Sequence, residues 1–173
     1  MKCKKFFDPY IELLDNFNRK GVRYVVVGMS GINYYASDTR ETFATQDFDI
    51  FVKPTTDNVK KAVSIFRKLG YTLLVHEQKV ENSSVRDIVK DKKTILATDS
   101  YGITFELILT VSGFTFSQIE GDTTIFNVGG IPIKVAKLNK LLISKKIAGR
   151  EKDKLFLKRF EILLKEKSKN KVK

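Results

Sequence analysis

The sequence predicts an α+β fold in which helices pack on a mixed β-sheet. Apolar residues recur at helical spacing near the start of the chain, short β-branched runs follow, and two leucine-rich helical patterns close it. The predicted order is helix, strand, helix, strand, helix, then mostly strands, then two helices. With 173 residues and no linker, we expect a single domain 1–173: a core of about 21–136, a helical part of about 138–167 and a basic tail 168–173.

Helices are predicted where apolar residues repeat every three to four positions and where caps or glycines mark the ends. Gly21 and Gly70 act as stop signals, and Thr55–Asp57 supplies a cap. The predicted helices span residues 6–20, 32–36, 55–69, 138–149 and 151–167.

Strands are predicted where β-branched and aromatic residues alternate or form short buried runs. The predicted strands span residues 23–27, 47–53, 71–76 and 103–111, and residues 123–135 read as a hairpin that turns at Val128–Gly130. Residues 77–91 give no clear pattern.

The composition excludes several classes of protein. One cysteine and one histidine cannot build a Cys/His zinc site, and no intramolecular disulfide can form. No apolar run approaches the length of a membrane span, and Asp8 and Glu12 interrupt any signal-peptide core. We therefore expect a cytoplasmic protein without a membrane partner.

The positive charge is concentrated in the last fifth of the sequence. The chain carries 32 basic and 20 acidic residues, a net charge of +12. Residues 140–173 hold 13 of the basic residues and four of the acidic ones, so this segment alone carries +9. Such a segment is typical either of polyanion binding or of a solubilising lysine-rich surface.

Asp47-Phe48-Asp49 is the first candidate for chemistry. Side chains alternate along a strand, so Asp47 and Asp49 share one face while Phe48, Ile50 and Val52 face the opposite layer. Two carboxylates one pleat apart can hold the same hard cations, and the alternative is an exposed strand end.

Gly28-Met29-Ser30-Gly31 is the second candidate, directly after a buried strand. Glycine lets a ligand approach the backbone, and the N-terminus of a following helix suits phosphate. Ser30 can add a hydroxyl donor or cap the helix.

Glu106 and Lys145 complete the candidates. Glu106 lies on the polar face of its predicted strand, either solvated or as a third carboxylate beside Asp47 and Asp49. Lys145 continues an apolar helical stripe with Leu138, Leu141 and Leu142, where its charge needs water or an anion.

Together these pieces resemble the nucleotidyltransferase superfamily with the DNA polymerase beta-like fold. The matching residues are Gly28, Met29 and Ser30 in the turn, then Asp47 and Asp49, then Glu106 on a later strand. Thr45–Ile50, Gly130–Val135 and Gly149–Asp153 resemble the small bacterial members that are related to abortive-infection toxins. Met29 in the turn, a long gap before Asp47 and glutamate as the third acid depart from the family pattern.

The resemblance implies a mixed-sheet core with C-terminal helices and transfer of a nucleotide from an NTP to a hydroxyl acceptor. Asp47, Asp49 and Glu106 would be catalytic and would bind two Mg²⁺ ions. Gly28, Met29, Ser30 and Lys145 would bind the triphosphate. The acceptor stays open between a tRNA end, a protein and a small molecule, and a toxin role would add an antitoxin partner.

Two alternatives remain at this point. The first is a catalytically inactive nucleotidyltransferase-like domain that binds a nucleotide or nucleic acid, which Met29 in the turn favours. The second is a basic RNA- or DNA-binding domain in which the acids are incidental. The enzyme requires metal-dependent NTP binding, whereas the nucleic-acid-binding domain requires no metal.

Overall fold

The computed structural model describes residues 8–37 and 41–170, without the side chains of residues 163–170. These residues form seven α-helices and one eight-stranded sheet. The helices are α1 (Pro9–Lys20), α2 (Gly28–Asn33), α3 (Thr56–Lys68), α4 (Val85–Lys90), α5 (Phe116–Glu120), α6 (Leu138–Ala148) and α7 (Glu151–Asn170). The strands are β1 (Tyr24–Val26), β2 (Asp47–Val52), β3 (Thr72–Val75), β4 (Gln78–Lys79), β5 (Ile95–Thr98), β6 (Thr104–Ile108), β7 (Thr123–Val128) and β8 (Ile131–Ala136).

The sheet is mixed, as the sequence predicted. Its strand order is β4-β3-β5-β6-β2-β1-β8-β7. β2 runs parallel to β6 and antiparallel to β1, and β1 runs parallel to β8. The remaining neighbours pair antiparallel. β2 and β6 are therefore central, with two or more strands on either side of the pair.

Helices cover both faces of the sheet. Phe48, Ile50 and Val52 face a core shared with α1, α3 and α4, as their alternation predicted. On the other face Val25 and Phe51 pack with residues of α2, α5, α6 and α7. The carboxylates of Asp47 and Asp49 lie on this second face because side chains alternate along β2. No described helix has the length and apolarity needed to cross a bilayer.

The second helix lies earlier than the sequence predicted. The expected helix over 32–36 is wrong, because α2 starts at Gly28 and ends at Asn33. Gly31, the last residue of the Gly28-Met29-Ser30-Gly31 turn predicted from the sequence, is buried inside α2, and a Cβ there would come within 3.2 Å of Leu141 on α6. The small residue thus allows close helix packing and does not interrupt the helix.

Four short elements escaped prediction: α4, α5, β5 and β4, the last of which has only two residues. α4 and β5 have six and four residues, too few for a periodic signal. The position of β5 in the sheet depends on its pairing with β6, in which Ile95 lies opposite Leu107. α5 has a capping box between Thr115 and Gln118, a signal that was present in the sequence. The other elements lie within a few residues of their predicted bounds, and Phe6 and Phe7 of the first predicted helix fall outside the described residues.

The buried side chain of Asn58 ties α3 to the ends of β1 and β2. Its Oδ1 accepts from the backbone N–H of Arg23 at 2.8 Å, and its Nδ2 donates to the carbonyls of Arg23 and Lys53. These groups lie at the ends of β1 and β2. The amide pairs the N–H of Arg23, bonds to the carbonyl of Lys53 and adds a second hydrogen bond to the carbonyl of Arg23, which already accepts from the N–H of Lys53.

Asn58→Ala is expected to lower the free energy of unfolding by about 1–3 kcal/mol, because it leaves the partly buried N–H of Arg23 without this partner. Urea denaturation measures the loss. Asn16→Ala is the matched control, since Asn16 makes one exposed hydrogen bond to its own helix. Equal losses in the two variants would contradict the assigned role of Asn58.

Candidate functional site

The pairing of β2 with β6 brings the predicted carboxylates together. In the parallel register Asp49 lies opposite Glu106 and Asp47 lies opposite Thr104. Asp49 and Glu106 are therefore direct neighbours on adjacent strands, with Asp47 one pleat away on the same face. Glu106 lies where the sequence predicted a third acid.

The carboxyl group of Asp49 has a raised pKa in the metal-free protein. Burial raises the pKa of Asp49 to about 7, and the charge of Glu106 and a hydrogen bond between the two carboxyl groups act in the same direction. The nearby charge of Lys145 opposes the rise. Two carboxylates this close resist joint ionisation unless a cation joins them.

Gly28 packs directly against the Asp49 carboxylate. Its φ is +63°, and a Cβ built on it would lie 2.1 Å from Oδ2 of Asp49. Only glycine meets both demands, since the left-handed backbone disfavours other residues and no space remains for a methyl group. The glycine turn predicted from the sequence thus sets the position of a carboxylate.

Ser30 anchors α2 to β2. Its hydroxyl donates to the carbonyl of Asp47 and accepts from the N–H of Asp49, both at 3.2 Å. The hydroxyl therefore orients the strand that carries the two acids. Within the described chain, Ser30 lines a separate, second cavity of about 300 Å³ and not the cavity of the carboxylates.

A main cavity of about 720 Å³ opens in front of the acids. It brings together six of the seven residues predicted from sequence, all except Ser30. The charged residues on its wall are Asp47, Asp49, Glu106, Lys140, Lys145, Arg150, Lys152 and Asp153, and Gly28 and Met29 form part of its floor.

Asp153 holds two of the cations in place. Its side chain is 1% exposed, and it pairs with Lys145 at 3.4 Å and with Nε of Arg150 at 2.7 Å. Burial acts to raise the pKa of Asp153, but the hydrogen bond from Arg150 and the charge of Lys145 outweigh it and the pKa is lowered. The ammonium of Lys145 also lies 5.2 Å from the ring centre of Phe156.

Across the cavity, Lys145 interacts electrostatically with Asp49, and Arg150 interacts electrostatically with Asp49 and Glu106. The hydrogen bond to Asp153 raises the pKa of Arg150, and the charges of Asp49 and Glu106 raise it further. Fixed cations opposite a carboxylate pair suit a ligand that carries both phosphate and a divalent cation.

The carboxylates fit Mg²⁺ as part of a shared coordination shell. In the described residues no three acidic, histidine or cysteine side chains converge into a complete metal cage. Mg²⁺ is usually held by one or two carboxylates together with substrate phosphates, which the pair Asp49–Glu106 with nearby Asp47 can supply in part. The set suits an ion that arrives with a phosphate ligand.

Arg150 and Asp153 were not assigned a role from the sequence, although a signal existed. Asp153, Phe156 and Phe160 fall at i, i+3 and i+7 on α7, so the aspartate interrupts an apolar stripe. Lys145 interrupts the stripe of α6 in the same way. Two opposite charges on facing apolar stripes predict an ion pair between the helices.

Gly28→Ala is expected to lose at least about 1 kcal/mol more free energy of unfolding than Gly21→Ala, because a displaced carboxylate adds to backbone strain. Gly21 is a matched control, since its φ is +64° and nothing lies within 4 Å of its added Cβ. Urea denaturation compares them. Equal losses would show that the Asp49 contact contributes nothing.

The Asp49 carboxyl makes metal-free stability pH-dependent. Because its folded pKa of about 7 exceeds its unfolded value, the folded state binds the proton more tightly, and this contribution is lost as pH rises from about 4 through 7. In EDTA, the stability of the wild type should therefore fall relative to Asp49→Asn between pH 5 and pH 8. Urea titrations at each pH test this, with the exposed Glu151→Gln as control. A pH-independent difference would contradict the assignment.

Comparison with known proteins identifies the family of the chain. Residues 6–173 match the family described as "Nucleotidyl transferase of unknown function (DUF2204)". No curated protein matches the chain. The match spans nearly the whole sequence, including β2, β6, α6 and α7, which carry the acids and the facing cations. The chain therefore belongs to this family of nucleotidyl transferases of unknown function.

Proposed function

We propose that the protein is a Mg²⁺-dependent nucleotidyltransferase that transfers a nucleoside monophosphate from an NTP to a hydroxyl acceptor and releases pyrophosphate. One observation carries the proposal: the neighbouring carboxylates of Asp49 and Glu106 face Lys145 and Arg150 across one cavity. Family membership supports the reaction class.

The charge balance of the main cavity supports a metal requirement. Four cations and four carboxylates line it, so its formal net charge is 4 − 4 = 0. A fully ionised nucleoside triphosphate carries about four negative charges, which a neutral cavity does not attract. Two Mg²⁺ ions add four positive charges and match the triphosphate. NTP binding is thus expected to depend on the metal.

Each group of residues has a distinct task in this proposal. Asp47, Asp49 and Glu106 would hold Mg²⁺ together with the triphosphate, and the bound metal would lower the pKa of a coordinated hydroxyl and neutralise developing phosphate charge. Lys145 and Arg150, fixed by Asp153, offset charge on the β- and γ-phosphates. Because Asp153 orients both cations before the ligand arrives, little side-chain freedom is lost on binding.

The transfer conserves atoms and charge. The acceptor oxygen forms a bond to the α-phosphorus, and the bond from that phosphorus to the oxygen bridging the β-phosphate breaks. The electron pair of that bond leaves with pyrophosphate. We assign Glu106 as the first acceptor of the hydroxyl proton, because it lies on β6 directly beside Asp49 and lines the cavity.

Titration calorimetry with ATP and the other NTPs tests the binding step. The wild type should bind at least one NTP with Mg²⁺ and at least about tenfold more weakly in EDTA, because the neutral cavity cannot hold the triphosphate alone. Asp49→Asn and Gly28→Ala should lose the metal-dependent part, the second because its methyl group displaces Asp49.

Gly21→Ala is the control and should bind as the wild type does. Metal-independent binding, or binding unaffected by Asp49→Asn, would contradict the proposal. Release of pyrophosphate then separates an active enzyme from an inactive nucleotide-binding domain, because the inactive domain binds the NTP but yields no pyrophosphate with any acceptor.

A further inference from the structure

A second cavity lies beside the candidate active site. Its volume is about 300 Å³, and it lies between the start of α1, α2 and the start of β2. Asp47 and Thr45 line both this cavity and the main one. A molecule held in the second cavity therefore lies against the same aspartate that we assign to the metal.

The lining of the second cavity is acidic and aromatic. The carboxylates of Asp8 and Asp47 contribute negative charge, and among the described lining residues there is no lysine or arginine. The N-terminal end of α1 adds a partial positive charge of about one half, which the two carboxylates outweigh. The described lining of the second cavity therefore offers no cation to phosphate, whereas the lining of the main cavity includes four.

Aromatic rings supply its apolar surface. Tyr10 stacks on Phe48 with ring centres 4.8 Å apart, which fixes one wall. Tyr34 forms another wall, and Asp8 lines the same cavity. Burial, together with the charge of Asp8, raises the pKa of Tyr34. Flat rings beside carboxylates suit the C–H faces and the amines of small polar molecules.

We propose that the second cavity binds the acceptor, a small hydroxyl compound that is neutral or carries an amine. This inference rests on the nucleotidyltransferase activity proposed above and narrows its acceptor. The size is at the lower end for small-molecule sites and fits a group such as one sugar ring. Because Thr45 and Asp47 line both cavities, the acceptor hydroxyl would approach the α-phosphorus past Asp47.

A polyanionic acceptor such as a tRNA end is disfavoured by the same charges. The four cations of the main cavity are already balanced by its four carboxylates, and two Mg²⁺ ions are matched by one triphosphate. No positive charge remains there for additional phosphates. A nucleic acid that entered through the second cavity would bring its phosphates against Asp8 and Asp47.

Matched sets of small molecules test the inference by ligand-observed NMR. One set is glucose, glucosamine and glucose 6-phosphate, and the other is glycerol, ethanolamine and glycerol 3-phosphate. The protein is saturated with Mg²⁺ and a non-hydrolysable NTP analogue. Neutral and amine-bearing members should bind at least about fivefold more tightly than the phosphate-bearing members.

Variants assign the binding to the second cavity. Asp8→Asn removes the charge but keeps a residue type that caps α1 well, and it should weaken amine binding about threefold or more with little effect on neutral members. Tyr34→Ala should weaken both. Asp15→Asn, on the same helix and paired with Arg19, is the control and should change neither.

Three results would overturn the inference: no binding by any neutral or amine-bearing member, equal binding of the phosphate-bearing members, or transfer of labelled nucleotide to tRNA in preference to both sets. Calorimetry of NTP binding keeps the two proposals apart. If metal-dependent NTP binding holds and any of these results is found, only the acceptor inference fails. If NTP binding is absent, the proposed function fails, and the acceptor inference fails with it.

Discussion

The close approach of Gly28 to Asp49 is the constraint on which the site depends. A backbone with φ of +63° and a carboxylate oxygen where a Cβ would stand admit glycine alone. Several hydrogen bonds surround this contact. The N–H of Val27 donates to the carbonyl of Asp49, and the hydroxyl of Ser30 donates to the carbonyl of Asp47 and accepts from the N–H of Asp49. The turn after β1, the start of α2 and the strand of acids therefore form one unit, whose geometry is fixed before any ligand binds.

The opposite wall of the main cavity is organised by Asp153. Burying one carboxylate between α6 and α7 is costly unless cations compensate it, and Lys145 and Arg150 do so. Together Asp153, Lys145 and Arg150 carry one net positive charge. Helix packing and the ring of Phe156 fix the orientation of the Lys145 side chain. The contribution of this buried ion pair to the stability of the fold is modest, because replacing all members of such a pair by apolar residues is often tolerated in proteins. Its consequence for binding is larger, since the cations are oriented in advance.

The sequence predicted which face of the sheet carries the acidic side chains better than it predicted the elements that surround them. The period-two alternation assigned Asp47 and Asp49 to one face and Phe48 to the other, and it assigned Glu106 to the polar face of its strand, because alternation is a property of the backbone. Gly31 was assigned to the turn before the predicted helix, because its contact with Leu141 depends on a helix more than 100 residues away. The position of β5 could not be predicted either, because it depends on pairing with β6. The second cavity could not be predicted because three separate elements enclose it.

The position of β2 and β6 in the sheet has a consequence for the persistence of the site. Both strands are interior, so the pairing of Asp49 with Glu106 is flanked by β1 and β5 and covered by helices on both faces. Local openings in proteins start at frayed ends and edge strands, while interior strands exchange their amide hydrogens only when the whole domain unfolds. Fluctuations of β4 or β7 therefore leave the spacing of the carboxylates intact. The pairing of Asp49 with Glu106 is thus expected to persist through local openings at the edges of the sheet.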